Sequence, residues 1–227
     1  MPHTAAPSSS VQASLATTLV RHIARLYLAL FKRFTLGNAP CIPPAGPVIF
    51  VANHTTGYDP VCLQVASRSR FIQFMMAKEY YLQKPLYWFY KSIKVIPVNR
   101  TGNDTASIRT ALRALAGGAC IGMFPEGGIS DDGRLREGRQ GVALLALMSA
   151  ATVVPAYIKG TRPHAGMVTD FLRFDKITFY FGRPLRFDDL QGRHDDSARQ
   201  IATQRIMAEI TRLRDEHDPA KRPAPPS

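Results

Sequence analysis

Between residues 48 and 182, short apolar runs typical of β-strands alternate with segments whose apolar residues recur every three or four positions. The runs are VIFVAN (48–53), FIQFMMA (71–77), KVIPV (94–98), CIGMFP (120–125), TVVPAYI (152–158) and ITFYFG (177–182). The predicted helices begin at about Asp59, lie near 85–92, over 104–116 and near 139–149, and end with one over about 196–215. This alternation predicts a single α/β domain in which helices flank a mostly parallel or mixed central sheet.

The segment that precedes this domain, residues 11–36, has the pattern of an amphipathic helix. Its apolar stripe, with spacings of three and four, comprises Leu15, Leu19, Ile23, Leu26, Leu30 and Phe34. Its opposite side is basic, with Arg21, Arg25, Lys32 and Arg33. The segment lacks the ~20 consecutive apolar residues that span a bilayer, so we expect it to lie in the plane of an anionic membrane surface. A helix that packs on the protein's own core is the alternative.

Composition predicts the remaining boundaries and the state of the thiols. We expect a flexible leader over 1–10, the main domain over 37–217 and a disordered tail over 218–227. The leader has no basic n-region, so a signal peptide is not expected. The three cysteines are odd in number and form no C-x-x-C pair, which predicts buried free thiols in a reducing compartment. They are Cys41, Cys62 and Cys120.

Positive charge is the compositional feature that narrows function most. Lysine and arginine number 29 against 17 acidic residues, a formal net charge of +12. Much of the excess lies in residues 1–38, which have four basic residues and no acid, and in residues 67–100, which have seven basic residues against one acid. Such an excess predicts an anionic partner: nucleic acid, a lipid headgroup surface or a phosphorylated substrate.

The stretch VANHTTGYDP, residues 51–60, places His54 at the end of a predicted strand and Asp59 at the start of a predicted helix. Asp59 is expected at the N-cap, with Pro60 at the first helical position. A loop that folds back would bring the carboxylate to one imidazole nitrogen, fix the tautomer and leave the other nitrogen free to take a proton. The alternative is that Asp59 only caps its helix and that His54 is an ordinary loop histidine.

Other polar residues follow neighbouring strands and should lie at the same edge of the sheet, where α/β folds bind ligands. Glu126, Gly127 and Ser130 follow CIGMFP, Arg100 follows KVIPV, and Lys78 follows FIQFMMA. A guanidinium and an ammonium at this edge would suit a phosphate group. Alternatively, Arg100 is a surface charge and Glu126 only holds its loop in place.

Four blocks in order, NHTTGYD, IPVNR, FPEGGIS and VVPAY, resemble the signature of the glycerolipid acyltransferases, the family of 1-acyl-sn-glycerol-3-phosphate and other lysophospholipid acyltransferases. The blocks run from Asn53 to Tyr157, roughly half of the chain. The resemblance implies that residues 37–217 form an acyltransferase domain. It also implies a peripheral or monotopic enzyme at the cytoplasmic face of a membrane, which moves a fatty acyl group from a thioester to the hydroxyl of a lysophospholipid.

The resemblance also implies roles for individual residues. His54 resembles the general base and Asp59 its orienting partner. Substrate-binding roles fall on Lys78, Arg100, Glu126, Gly127 and Ser130, with Arg100 and Lys78 as ligands of the acceptor phosphate. Pro155 in the fourth block looks structural, and no metal ligand is implied.

The third block departs from the family pattern, because Gly128 and Ile129 stand where Thr-Arg is common. One phosphate contact is therefore missing, which leaves another lysolipid, such as a lyso-aminolipid, as an alternative to lysophosphatidate. A nearby arginine is a possible substitute; the candidates are Arg134, Arg136 and Arg139.

The expected reaction is the acylation of 1-acyl-sn-glycerol-3-phosphate to phosphatidic acid in phospholipid biosynthesis. It needs no cofactor, because acyl-CoA or acyl-carrier protein serves as the co-substrate. The expected partners are this donor, the lysophospholipid acceptor and a membrane phospholipid surface, but not nucleic acid. The rival hypothesis is a non-enzymatic basic protein that binds membranes or nucleic acid. The charge permits it, but it leaves His54, Asp59 and Glu126 without a role.

Overall fold

A seven-stranded mixed sheet, with strand order β1-β7-β6-β2-β5-β3-β4, runs through the described part of the chain. The structure is a computed structural model that describes residues 15–68, 70–84, 86–100, 104–162 and 165–222. The strands are β1 (Thr35–Leu36), β2 (Val48–Ala52), β3 (Ile72–Ala77), β4 (Ile96–Val98), β5 (Cys120–Met123), β6 (Thr152–Lys159) and β7 (Thr178–Phe181). The predicted α/β fold class is therefore confirmed.

Helices cover both faces of this sheet. The helices of the described residues are α1 (Leu15–Phe31), α2 (Asp59–Ala66), α3 (Lys78–Tyr81), α4 (Tyr87–Ser92), α5 (Thr105–Ala116), α6 (Gly141–Ser149), α7 (Met167–Leu172) and α8 (Asp196–His217); α1, α2, α5, α6 and α8 supply the residues buried against the sheet. Two 3-10 turns lie at Asp188–Leu190 and Pro219–Lys221. The elements that were not predicted are β1, α3, α7 and the two 3-10 turns, none of which exceeds six residues.

Strand β2 forms the centre of the core because both of its faces are covered. All five of its residues are buried, which explains why its sequence is an uninterrupted apolar run. Ile49 and Val51 pack into the cluster that includes buried residues of α5, α6 and α8. Val48, Phe50 and Ala52 pack into the cluster that includes Leu28 of α1 and buried residues of α2.

The directions of the strands gather their carboxyl ends at one edge. Strands β6, β2, β5, β3 and β4 are successively parallel, whereas β7 is antiparallel to β6 and β1 is parallel to β7. The loops after β2, β3, β4 and β5 therefore leave the sheet on the same side. These are the loops in which the sequence places its candidate site residues.

Helix α1 ends earlier than predicted and points its apolar stripe outward. Its described part is Leu15–Phe31, and the predicted end at residue 36 was wrong because Thr35 and Leu36 pair with β7; residues 11–14 lie outside the described residues. Its buried residues are Thr17, Ala24 and Leu28. The predicted stripe is exposed at Leu19, Ile23, Leu26 and Leu30. No helix within the described ranges combines the length and apolar character needed to cross a bilayer.

Lys32, predicted on the basic side of the helix, is instead completely buried. Its ammonium group donates to the carbonyl oxygens of Asp170 (2.7 Å) and Arg173 and to Oδ2 of Asp175 (3.2 Å). It also lies 4.0 Å from the centroid of the Tyr58 ring. This buried cation thus joins the end of α1 to the segment after α7 and to the loop that precedes α2.

Asp175 is the negative partner in this network. Burial tends to raise its pKa, but hydrogen bonds from Arg162 (2.7 Å), Tyr58 (2.9 Å) and Lys32 outweigh burial and lower the pKa below its ordinary value. The contribution of Asp175 to stability is therefore present above the ordinary aspartate pKa and is lost as the pH falls through the lowered one. Burial also lowers the pKa of Lys32. The hydrogen bond to Asp175 and the negative charge of Asp175 oppose this lowering only in part.

Two further predictions need correction. Cys62 and Cys120 are buried free thiols as predicted, but Cys41 is exposed. Residues 218–222, assigned to the disordered tail, include the turn Pro219–Lys221, and the carboxylate of Asp218 accepts a hydrogen bond from Tyr157 (3.0 Å). The predicted leader, residues 1–10, and residues 223–227 lie outside the described residues.

We predict that Lys32→Met lowers the free energy of unfolding by about 3–5 kcal/mol, because it breaks a buried ion pair and removes one donor from the Asp175 carboxylate and from two carbonyl groups. Urea unfolding at neutral pH measures this loss. Lys176→Met, which also removes a lysine but at an exposed position, should change stability by less than about 0.5 kcal/mol. Equal losses in the two variants would contradict a structural role for the buried ammonium.

Candidate active site

The backbone leaves the sheet at His54, two residues after β2 ends. Asn53 fixes this exit, because its side chain accepts from the N–H of Ile158 (2.7 Å) and donates to the carbonyl of Ile158 (3.2 Å). The amide of Asn53 thus extends the pairing of β2 with β6 by side-chain hydrogen bonds. His54 consequently starts its loop from a fixed point at the carboxyl edge of the sheet.

His54 and Asp59 form a hydrogen-bonded pair, with 2.9 Å between Nδ1 and Oδ2. An ionised carboxylate can only accept, so Nδ1 carries the proton and Nε2 presents its lone pair. Asp59 is fully buried, whereas 15% of the His54 side chain is exposed. No hydrogen bond to Nε2 is found among the described residues. The arrangement is that of an oriented base whose reactive nitrogen is open.

The Asp59 carboxylate organises the whole loop around it. Oδ2 accepts from the backbone N–H groups of Thr55 (2.7 Å) and Thr56 (2.8 Å), and Oδ1 accepts from the Thr56 hydroxyl (2.8 Å). The prediction that Asp59 is the N-cap of α2 was wrong. Tyr58 takes that position, Asp59 is the first helical residue, and its carboxylate turns back to the loop. It therefore stabilises the loop conformation rather than the end of its helix.

Glu126 and Ser130 hold the backbone of His54 from the neighbouring strand β5. Oε1 of Glu126 accepts from the N–H of His54 (2.7 Å), and Oε2 accepts from the N–H of Arg136 (2.9 Å). The N–H of Ser130 donates to the carbonyl of His54 (2.7 Å). The hydroxyl of Ser130 is bonded to Asp132 and to the carbonyl of Arg134. The loop after β5 thus restrains both backbone polar groups of His54.

Gly127 allows a basic side chain to cross this loop. It has φ +73°, a conformation that favours glycine, and a Cβ atom there would lie 2.6 Å from Cδ of Arg139. Arg139 is fixed by its own N–H, which donates to the carbonyl of Pro125 (2.8 Å). At Gly128, by contrast, an added Cβ would meet nothing within 4 Å. Arg139 therefore lies close to the turn that contains Glu126.

An aromatic stack supports the imidazole ring. The rings of His54 and Phe124 are stacked with their centroids 4.0 Å apart, and Phe124 is stacked in turn on Phe74, at 6.3 Å. Phe74 occupies the space over Gly122, where a Cβ atom would lie 2.5 Å from its ring. Sequence reasoning missed Phe124 and Phe74, because aromatic residues in apolar strands look like ordinary core. It also missed Thr55 and Thr56, although both lie inside the motif.

Lys78 and Arg100 lie at the same edge of the sheet but are not joined to the His54–Asp59 pair. Lys78 is the exposed first residue of α3, and Arg100 follows the outermost strand, β4. The guanidinium of Arg100 lies 3.4 Å from the Glu79 carboxylate and 5.7 Å from the centroid of the Tyr80 ring. Strands β2 and β4 are three steps apart, roughly 14 Å at the usual spacing. Within the described residues, no cluster of three histidine, cysteine or acidic side chains could hold a metal ion.

Glu126 generates a pH-dependent prediction. Burial raises the pKa of Glu126, although the N–H groups of Arg136 and His54 partly oppose the rise. The folded state then binds more protons than the unfolded state between the ordinary pKa and the raised one, so the carboxyl group lowers stability as the pH rises through that window. We expect the free energy of unfolding of wild type, relative to Glu126→Gln, to fall as the pH increases from about 4 to 7 in urea titrations. A difference that rises with pH would contradict the assignment.

Comparison with known proteins identifies the chain's relatives. Residues 33–159 match the sequence model of the family described as Acyltransferase. The chain is 25% identical over 169 residues to the 1-acyl-sn-glycerol-3-phosphate acyltransferase of Streptococcus pneumoniae, an alignment that covers 74% of this chain but only 61% of that protein. It is 28% identical over 166 residues to the protein of the same name from Bacillus subtilis, covering 73% of this chain and 80% of the relative.

A solved structure is similar in fold. It is the 1-acyl-sn-glycerophosphate (LPA) acyltransferase PlsC from Thermotoga maritima, with a TM-score of 0.67 and 19% identity over 87% of this chain and 79% of that chain. The family match covers more than half of the present sequence and includes the His54–Asp59 pair, Arg100 and the Glu126 loop. On this match, and in agreement with the four sequence blocks, the chain belongs to the Acyltransferase family.

Proposed function

We propose that this protein transfers a fatty acyl group from acyl-CoA or acyl-carrier protein to the free hydroxyl of 1-acyl-sn-glycerol-3-phosphate, which gives phosphatidic acid. The main support is the geometry at His54, where Asp59 holds Nδ1 and leaves Nε2 open at the edge of the sheet. Membership of the Acyltransferase family and the names of the relatives in S. pneumoniae and B. subtilis also support it.

The residue types lead to a direct transfer mechanism. Nε2 of His54 takes the proton from the acceptor hydroxyl as its oxygen attacks the thioester carbonyl carbon. The resulting C–O bond forms as the C–S bond breaks, and the thiolate leaving group takes the proton back from His54. Asp59 stabilises the imidazolium that exists between these two proton transfers, because its carboxylate is already bonded to Nδ1.

Basic residues near the site determine where the acceptor phosphate binds in this proposal. Arg100 and Lys78 are exposed at the same edge as His54 and remain the proposed ligands. Of the three arginines that could replace the arginine missing at Ile129, Arg134 and Arg136 lie beside Asp132 and Asp131. Arg139 instead crosses Gly127, the residue after Glu126, and forms no ion pair among the described residues, so we assign the additional phosphate contact to Arg139.

The proposed enzyme works at the cytoplasmic face of a membrane as a peripheral protein. The exposed stripe of α1 supports this location, because four of its apolar side chains leave between 57% and 61% of their surface uncovered: Leu19, Ile23, Leu26 and Leu30. Arg25 is exposed on the same helix and would complement anionic headgroups. Another lysolipid acceptor is the second candidate, favoured by the absence of an arginine at Ile129.

We predict that His54→Ala and Asp59→Asn each lower kcat/KM for acceptor-dependent thiol release by about 10²–10⁴-fold. The first change removes the base. The second leaves an amide oxygen that can accept from Nδ1 but removes the negative charge that stabilises the imidazolium. Thiol release from acyl-CoA and from acyl-carrier protein, with a panel of lysophospholipids and detergent-solubilised protein, measures both effects.

His194→Ala is the matched control. His194 is an exposed histidine in the segment that precedes α8, so this variant should keep wild-type turnover. Acceptor-dependent turnover that is undiminished in His54→Ala would refute the mechanism. Salt-sensitive retention of nucleic acid by a protein that releases no thiol with either donor would favour the non-enzymatic alternative.

Acceptor recognition gives a separate prediction. Arg100→Gln and Arg139→Gln should each raise KM for lysophosphatidate about 10- to 100-fold, the effect of losing a hydrogen bond to a charged group. Arg109→Gln, an exposed arginine on α5, should leave KM unchanged. If a lysolipid without a phosphate monoester is the better substrate and its KM is insensitive to both changes, the proposed acceptor is wrong.

A further inference from the structure

Helices α3 and α4 expose large apolar and aromatic side chains near the carboxyl edge of the sheet. We call the set comprising Tyr80, Leu82, Leu86, Tyr87 and Trp88 the α3–α4 surface. Trp88 leaves 69% of its surface uncovered, and the other four leave between 38% and 52%. Neither helix has a buried residue. The apolar area of the α3–α4 surface is therefore not used by the core.

A layer of half-buried aromatic rings supports this surface. Tyr81 contacts Tyr87 edge to face with 5.3 Å between centroids and stacks on Tyr90 at 6.2 Å. Phe89 contacts Trp88 at 6.3 Å and Tyr90 at 5.8 Å. These rings contact one side of Tyr87 and of Trp88, and 42% and 69% of these two residues stay exposed.

Positive charge surrounds the α3–α4 surface. Its neighbours along the chain include four exposed lysines: Lys78, Lys84, Lys91 and Lys94. The single acid in the segment, Glu79, is already paired with Arg100. A partner must therefore offer both negative charge and apolar contact. Tryptophan and tyrosine favour the boundary between hydrocarbon and headgroups, and lysine stems reach past apolar contacts to anionic headgroups.

We propose that the α3–α4 surface binds an anionic lipid bilayer, as a second attachment in addition to α1. Strand β3 runs directly into α3, so this contact lies at the sheet edge from which the His54 loop also leaves. Two attachments would fix the angle between that edge and the bilayer, whereas attachment by α1 alone would let the domain rotate about this helix. The inference rests on the proposed membrane location but not on the acyl-transfer chemistry.

Trp88 is the only tryptophan in the chain and therefore reports on this surface without a label. The full-length protein is titrated with vesicles of phosphatidylcholine and phosphatidylglycerol while the emission of Trp88 is followed. If Trp88 contacts the bilayer, its emission should shift to shorter wavelength and should be strongly quenched by lipids brominated near the headgroup. Vesicles of phosphatidylcholine alone should give a much weaker response at the same lipid concentration.

The triple variant Lys84→Gln, Lys91→Gln, Lys94→Gln should raise the lipid concentration at half-maximal shift about 100-fold, roughly fivefold for each lysine. The matched control removes three positive charges elsewhere: Arg109→Gln, Arg113→Gln, Arg183→Gln. These arginines are exposed and lie outside α3 and α4, so this variant should shift the titration far less.

Three results would overturn the proposal. In the first, the protein sediments with the vesicles while Trp88 emission stays unchanged, which would leave α1 as the attachment. In the second, the two triple variants bind equally well. In the third, the blue shift appears without vesicles and grows with protein concentration, which would make a second copy of the chain the occupant. Thiol release in detergent is scored separately, so failure of the proposed enzyme activity is distinguishable from each of these results.

Discussion

The buried carboxylate of Asp59 is the interaction on which the site depends. It accepts hydrogen bonds from the imidazole of His54, from the backbone of Thr55 and Thr56 and from the Thr56 hydroxyl. A buried carboxylate is stable only when its oxygens are bonded. Because the six-residue loop between β2 and α2 supplies all these donors, the loop can adopt its conformation only if the imidazole is also held in this orientation. The positions of the end of β2 and of the start of α2 determine the conformation that this loop can adopt.

A second level of support comes from strands β5 and β3. Glu126 and Ser130 bind the two backbone polar groups of His54, and Phe124 supports its ring. The position of Phe124 depends in turn on Phe74, whose ring fits only because residue 122 is glycine. The loop after β5 therefore fixes the backbone of His54. A stack of aromatic rings from three adjacent strands fixes the plane of its imidazole ring.

The sequence predicted those parts of the structure that depend on local pattern. Alternating apolar runs gave the sheet and its longer helices, and polar residues after strands gave His54, Asp59 and Glu126. The burial of Lys32 could not be predicted, because its acidic partner Asp175 lies 143 residues away and the lysine looks like part of a basic helix face. Nor could the orientation of Asp59, since an acid before proline at a helix start has the local pattern of an N-cap. The carboxylate can accept hydrogen bonds either from the first turn of its own helix or from the preceding loop. Only the conformation of the loop decides between these two sets of donors.

The long separation between Lys32 and Asp175 also has a consequence for the order of events during synthesis. At about 5–20 residues per second, the chain between them takes roughly 7–29 s to emerge from a ribosome. Until then the Lys32 ammonium has no carboxylate and favours water over burial, and β1 has no β7 with which to pair. The final docking of α1 must therefore wait for the last third of the chain. For that interval α1 exposes both its apolar stripe and the side whose Ala24 and Leu28 are later buried, so either side is free to meet a lipid surface before the domain has closed.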